Sequence, residues 1–444
     1  MKKFILKTMG CKSNQLEGGL IEENLIKNGF EKTDKISDAD IFILNSCTVT
    51  HKSDNEAFNI LNKAKRDNPN IRTVLTGCIA QVEKENLLKN PNIDFVIGND
   101  EKLNISNFLT ENIQCAVENI MDIESFHSVL LCDTKKTRAS LKIQDGCDNR
   151  CSYCIIPFAR GKNRSADVDF ILEQIKMYEQ MGFNEIVLTG IHIGQWQAGE
   201  MGNRKWEIGN VVPAKKNLLF LLKNIEEKTS ISRYRLGSLN PLEIDDEMLD
   251  FLKKSEKFCP HFHLSLQSMC DKTLKSMNRH YSVAQSLELI EKIEHNFDLP
   301  FIGSDVIAGF AGENEEDFET TIMNLKKSKL TQIHTFPYSI RKDTAAASFE
   351  DQLDSKTKDK RATLIKEISA QKHKEFLQAN IGAIQEVLIE KNLDSKTGML
   401  KGVTRNYINV LINDCQAVPS LQLKNTLQKV KITKVDEKVY GELV

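Results

Sequence analysis

Apolar residues in the first hundred positions fall into short strand-like runs at 4–8, 41–44 and 73–76, each followed by a segment in which Leu, Ala, Glu and Lys recur at helical spacing. Short apolar runs alternating with amphipathic helices predict a parallel α/β unit. From about residue 138 the alternation resumes on a larger scale. It predicts strands at 139–144, 185–189, 233–236, 261–266, 301–307 and 331–336, with helices at 168–181, 218–228, 282–293 and 315–327. About six β/α repeats of this kind predict a partial barrel whose working face lies at the C-terminal ends of its strands. Beyond a long charged helix at 356–378 the pattern changes again: strand-like runs at 384–390, 407–411, 430–433 and 439–444 are separated by polar turns, which predicts a small β-barrel.

The expected fold class is therefore α/β, divided into an N-terminal parallel α/β domain (1–115), a central partial (β/α)6 barrel (133–372) and a C-terminal β-barrel (376–444). With 444 residues, 40% of them hydrophobic and 27% charged, the chain has material for three cores. No apolar stretch is long enough to cross a bilayer, and the basic start never builds a signal-peptide core, so the expected location is cytoplasmic with no membrane partner. The net charge of −2 carries no nucleic-acid signature, but residues 133–164 hold eight basic and three acidic residues, a local balance of +5.

That basic stretch surrounds the most informative chemistry in the chain. Gly146-Cys147-Asp148-Asn149-Arg150-Cys151-Ser152-Tyr153-Cys154 places three thiols in a Cys-x3-Cys-x2-Cys loop after the first barrel strand. Thiolates select zinc, copper(I) or iron–sulfur clusters, and a four-iron cube held by three cysteines keeps one iron open for a small ligand. The alternative is a structural zinc completed by a distant residue such as Cys132 or His192. Each of the first three predicted strands is likewise followed by a cysteine, Cys11, Cys47 and Cys78. Loops after the strands of an open parallel sheet emerge along one edge, so these three thiols should meet in space as a second open triad. The remaining cysteines, 115, 132, 259, 270 and 415, show no such arrangement and read as buried small hydrophobes.

The cysteine loop at the start of a β/α repeat resembles the radical S-adenosylmethionine enzymes. Thr8-Met9-Gly10-Cys11-Lys12-Ser13-Asn14-Gln15, Asn45-Ser46-Cys47-Thr48-Val49-Thr50 and Thr76-Gly77-Cys78, with a β-barrel behind, are similar to the methylthiotransferases of that superfamily. Within it, Cys-Lys-x-Asn-Gln and Cys-Thr-Val-Thr resemble the branch acting on N6-threonylcarbamoyladenosine at position 37 of tRNA. Isopentenyladenosine tRNA and a ribosomal-protein aspartate are the alternatives within the family, and a zinc-stabilised RNA-binding protein is the non-catalytic alternative.

The resemblance implies two [4Fe–4S] clusters and S-adenosyl-L-methionine as cofactors. Cys147, Cys151 and Cys154 would hold the cluster whose free iron chelates the cofactor. One electron would then cleave it to methionine and a 5′-deoxyadenosyl radical. Cys11, Cys47 and Cys78 would hold the cluster that carries the sulfur, which is methylated and delivered to C2 of the adenine. Positions implied to line the cofactor are Tyr153, Gly190, Ser238, Gln267 and Asp305. Arg160, Lys162 and Arg164 are placed to meet tRNA phosphate, and Arg405 with Tyr407 in the terminal, TRAM-like barrel to meet the anticodon arm. An electron donor and a sulfur donor are implied as further partners. The segment 196–217 is longer and more polar than the family pattern and lies after a strand end, where substrate would pass.

Overall fold

The structure, a computed structural model, describes residues 1–127, 136–197, 217–413 and 420–444. Most of the segment 196–217, together with Cys132, Asp133, Lys135 and Cys415, lies outside the described residues.

The first unit is a six-stranded, all-parallel sheet. At its centre Ile41–Ser46 is buried at every position, the mark of a strand covered on both faces. Lys3–Thr8 and Arg72–Gly77 flank it. Phe95–Ile97 and the two-residue Cys115–Ala116 extend the sheet beyond the three strands that the pattern predicted, and Glu31–Lys32 forms the opposite edge. Edge strands this short, one of them charged, offer little template for further pairing. Helices cover both faces, among them His51–Asp67, where the Thr50 hydroxyl accepts from Ser53 N and caps the first turn.

The central unit holds two three-stranded parallel sheets, one of Ala139–Lys142, Glu185–Thr189 and Arg233–Leu236, the other of His261–Gln267, Phe301–Ala308 and Gln332–Pro337. A single bridge between Leu239 and Leu264 joins them into a six-stranded arc around one core. The outer helices start where polar caps tell them to: Asp167 caps Val168–Gln180, Asn217 caps Leu218–Lys228, and Ser282 and Asn314 form capping boxes with Gln285 and Asp317. The strand predicted at 139–144 is shorter. Its end, Gln144–Asp145, peels away to pair antiparallel with Arg164–Ser165, and this two-strand clasp closes the cysteine loop between them.

Helix Ser355–Ala379 leads to a closed five-stranded barrel. One of its strands, Leu400–Thr404, lies where the sequence pattern predicted none. Among the described residues, no helix is long and apolar enough to cross a membrane.

Candidate functional site

The clasp forces Gly146 into a positive φ of 72°, where a Cβ would stand 1.8 Å from Lys162 O, so only glycine lets the chain turn into the cysteine loop here. Past it, three contacts fix the thiols. The Cys147 sulfur lies 3.5 Å from His192 Nδ1, whose other ring nitrogen meets Glu243 and Asn240. The Arg279 guanidinium donates to the Cys151 sulfur at 3.3 Å, and Cys154 N closes a turn on Cys151 O at 3.1 Å. Burial and the neighbouring thiols Cys151 and Cys147 push the Cys154 thiol up. Burial disfavours the imidazolium of His192, but Glu243 and the Cys147 sulfur outweigh it and raise the group to about 10, leaving a cation beside the loop.

The structure brings the three cysteines of the second triad to one edge of the sheet. Cys11, Cys47 and Cys78 follow three neighbouring parallel strands, and Cys78 and Cys11 are close enough to Cys47 that, together with burial, they push its thiol to about 11. Gly10, at a φ of 87°, makes the fit possible: a Cβ there would lie 2.5 Å from the Cys47 Cβ and 2.8 Å from its sulfur. Asn99 ties this triad to the first. Its amide lies 3.8 Å from the Cys78 sulfur and donates to Ala159 O at 2.6 Å, on the short helix that follows the cysteine loop.

Both sites suit a cationic cluster. In each triad one thiol, Cys47 or Cys154, is raised by burial and by its neighbours, which positive charge arriving among the sulfurs would offset, and metal-bound thiols are deprotonated outright. The sulfur ligand sets match iron–sulfur chemistry. Among the described residues no three His, Cys, Asp or Glu side chains converge on one metal-ion position. The thiolates of a four-iron cube each meet a different iron and need only border a common space.

A cavity of about 950 Å³ opens between the three units. Cys11 and Lys12 line it from the first, Gly190, Gly237 and Ser238 from the barrel strand ends, His263 from within the strand His261–Gln267, and Tyr407 from the terminal barrel. Its size suits a nucleoside with a cofactor-sized neighbour. Of the positions expected to line the cofactor, Gly190 and Ser238 are on its wall. Ser238 Oγ lies 2.9 Å from His263 Nδ1, whose other nitrogen is 3.5 Å from Asp305. Burial raises the Asp305 carboxyl to about 6, despite the opposing pull of His334. Gln267 ends its strand at a φ of 63° next to a bulge, and Tyr153 packs edge-on against Phe310 with centroids 6.3 Å apart.

The RNA contacts expected of Arg160 and Arg164 require correction. Arg160 is 1% exposed and pairs with Glu17 at 2.5 Å; Arg164 lies 3.4 Å from Asp145. With Lys102 and Lys142 they form a buried ion network joining the first two units. A basic run in sequence had been spent on internal acids. Arg405 likewise anchors the terminal barrel, donating to Glu256 O and Phe258 O at 2.5 and 2.6 Å. Tyr407 turns inward at a φ of 69°, against His261 and beneath Arg235. Only Lys162 of the three loop bases is exposed. Sequence reasoning missed Asn99 and Arg279, and it had weighed His192 only as a zinc ligand. No local spacing marks these residues, because each reaches its thiol through the fold.

An arc of six parallel strands with a three-cysteine loop after the first defines a radical S-adenosylmethionine enzyme. Residues 141–325 match the Radical SAM superfamily, and residues 3–98 match the family described as Uncharacterized protein family UPF0004. The chain is 34% identical over 417 residues to a threonylcarbamoyladenosine tRNA methylthiotransferase of Aquifex aeolicus (strain VF5), covering 92% of this chain and 96% of that protein. It is 32% identical to the protein of the same description in Bacillus subtilis (strain 168), covering 98% and 94%. A tRNA-2-methylthio-N(6)-dimethylallyladenosine synthase of Clostridium botulinum (strain Loch Maree / Type A3) is 31% identical, covering 91% and 89%. In fold, the chain superposes on a radical S-adenosylmethionine methyltransferase of Kitasatospora setae with a TM-score of 0.51 at 12% identity, covering 76% of this chain and 73% of that one. The chain belongs to the tRNA methylthiotransferases of the radical S-adenosylmethionine superfamily, enzymes that use S-adenosylmethionine and [4Fe–4S] clusters.

Proposed function

We propose that this protein adds a methylthio group to C2 of N6-threonylcarbamoyladenosine at position 37 of tRNA, in the cytoplasm, with the anticodon arm as its docking partner. The observation that carries the proposal is that Cys11 of the second triad lines one cavity with Gly190 and Gly237 at the barrel strand ends, so a substrate held there meets the assigned sulfur site and the barrel rim together, while Cys151 and Cys154 border a neighbouring cavity with Arg150 and Thr344. Cys147, Cys151 and Cys154 are assigned to the cluster that binds S-adenosylmethionine, and Cys11, Cys47 and Cys78 to the second cluster. The first cluster with its cofactor supplies, on one-electron reduction, a carbon radical able to attack an unreactive C–H bond. The residues around it hold and tune: His192 and Arg279 place positive charge against the Cys147 and Cys151 sulfurs, which stabilises their thiolates. Tyr407 lines the cavity from the terminal barrel.

Mass spectrometry of nucleosides from bulk tRNA of cells with and without the protein tests this. Loss of the methylthio mass on threonylcarbamoyladenosine in the deletion is expected. Loss from the dimethylallyl nucleoside instead would select the second reading, which the Clostridium botulinum relative favours. An unchanged tRNA profile would overturn both and direct the search to methylthio-aspartate in ribosomal proteins.

A further inference from the structure

The cations on the cavity wall are not equally committed. Lys401 lies 3.4 Å from Glu390, and Lys438 lies 2.9 Å from Asp394. Lys12 has around it the Tyr407 hydroxyl, Arg138, Arg235 and Glu185. Of these, Glu185 already holds Arg233 at 2.6 Å and Arg235 at 2.8 Å. Two histidines on the same wall add no negative charge: burial and the bases around them favour neutral His261 and His263. Among the described residues the Lys12 ammonium therefore has no carboxylate of its own, and its side chain is exposed on the cavity wall. It sits in the first turn of the helix Lys12–Lys27, which carries no acidic residue there. A cation so placed is stabilised when an anion enters.

We propose that Lys12 binds the free carboxylate of the threonylcarbamoyl group and so selects a carboxylated N6 substituent over a hydrocarbon one. The inference rests on the threonylcarbamoyl reading above. The chemistry fits the placement, because Lys12 is next to Cys11 and the cavity continues from both to the barrel strand ends. In adenine, C2 and the carbon bearing N6 flank the same ring nitrogen. Holding the N6 substituent at Lys12 therefore keeps C2 near the thiol triad rather than turned from it. A dimethylallyl group offers the ammonium nothing in return for its water.

The test measures affinity by fluorescence anisotropy, using the cluster-loaded enzyme and anticodon-arm RNAs carrying adenosine, threonylcarbamoyladenosine or its carboxamide at position 37. A charge-assisted hydrogen bond predicts that the wild type prefers the acid to the carboxamide by about tenfold to a hundredfold. Lys12→Gln should bring that ratio close to one, and Lys12→Arg should keep most of it. An acid preference that survives Lys12→Gln, or a wild type that binds acid and carboxamide alike, overturns the inference while leaving the nucleoside reading intact. A wild type that binds threonylcarbamoyladenosine no better than adenosine counts instead against the nucleoside reading. If Lys12→Gln loses iron, the wild-type ratio and Lys12→Arg still decide.

Discussion

Cys147, Cys151 and Cys154 ride on one loop that a two-strand clasp holds shut, whereas Cys11, Cys47 and Cys78 come from three strand ends and meet only once the sheet has formed. The first triad is a local device and the second a topological one. The difference teaches where to look for each: spacing reveals the first, and only a prediction of strand order reveals the second. It also separates their roles. The local triad has His192 and Arg279 against its sulfurs, while one member of the topological triad, Cys11, reaches the cavity wall.

Removing one thiol from each triad should break the comparison most sharply. Cys147→Ala is expected to abolish reductive cleavage of S-adenosylmethionine, with 5′-deoxyadenosine falling to protein-free background by chromatography. Cys47→Ala should retain that cleavage and about half the iron but lose methylthiolation. Full methylthiolation in Cys47→Ala would make the second triad dispensable and the contrast false.

The ion network that joins the two units comes next in size. Arg160→Met leaves Glu17 buried and short of its nearest base, at an expected cost of about 3–5 kcal/mol in urea unfolding. Burial raises the Glu17 carboxyl, yet Arg160, Lys102 and Lys142 overcome this and hold it well below the ordinary range. A carboxyl depressed in the folded state stabilises fully above its unfolded value and loses that contribution as pH falls through the folded one. The melting temperature should therefore be indifferent to Glu17 between about pH 5 and 8 and drop below about pH 4. Glu17→Gln should flatten that acid limb. Smallest of all, Lys162→Ala should weaken tRNA binding a few-fold and lower the salt slope of log Kd by about one. No change in slope would leave the exposed base beside the first triad without an RNA role.

Much of this architecture is legible in the sequence. The elements predicted at 185–189, 233–236, 218–228 and 315–327 appear with those bounds, because buried aliphatic strands and capped amphipathic helices carry their own punctuation. Phe95–Ile97 and Cys115–Ala116 were too short to show a period, and Asp246–Lys254 was passed over although Asp245 caps it and acids fill its first turn. At the site, the six cysteines were readable, but the fate of the bases around them was not. Arg160 shows its charge in sequence, and its partner Glu17 lies 143 positions away. A signal was present in the helix Lys12–Lys27, whose buried face includes Ser13, Asn14 and Glu17. A polar inner face on a helix means that its neighbour supplies partners rather than grease.

Arg233 and Arg235 hold the terminal barrel by donating to the carbonyl oxygens of Val403, Thr404 and Arg405, at 2.9, 2.6 and 2.6 Å. Every amino acid carries that acceptor. These bonds ask the barrel for a backbone shape and not for particular side chains, so its outer surface is free to diverge while it stays seated. A chimaera carrying a relative's barrel should dock on the same two arginines, and a lineage could exchange the barrel without rebuilding the catalytic core beneath it.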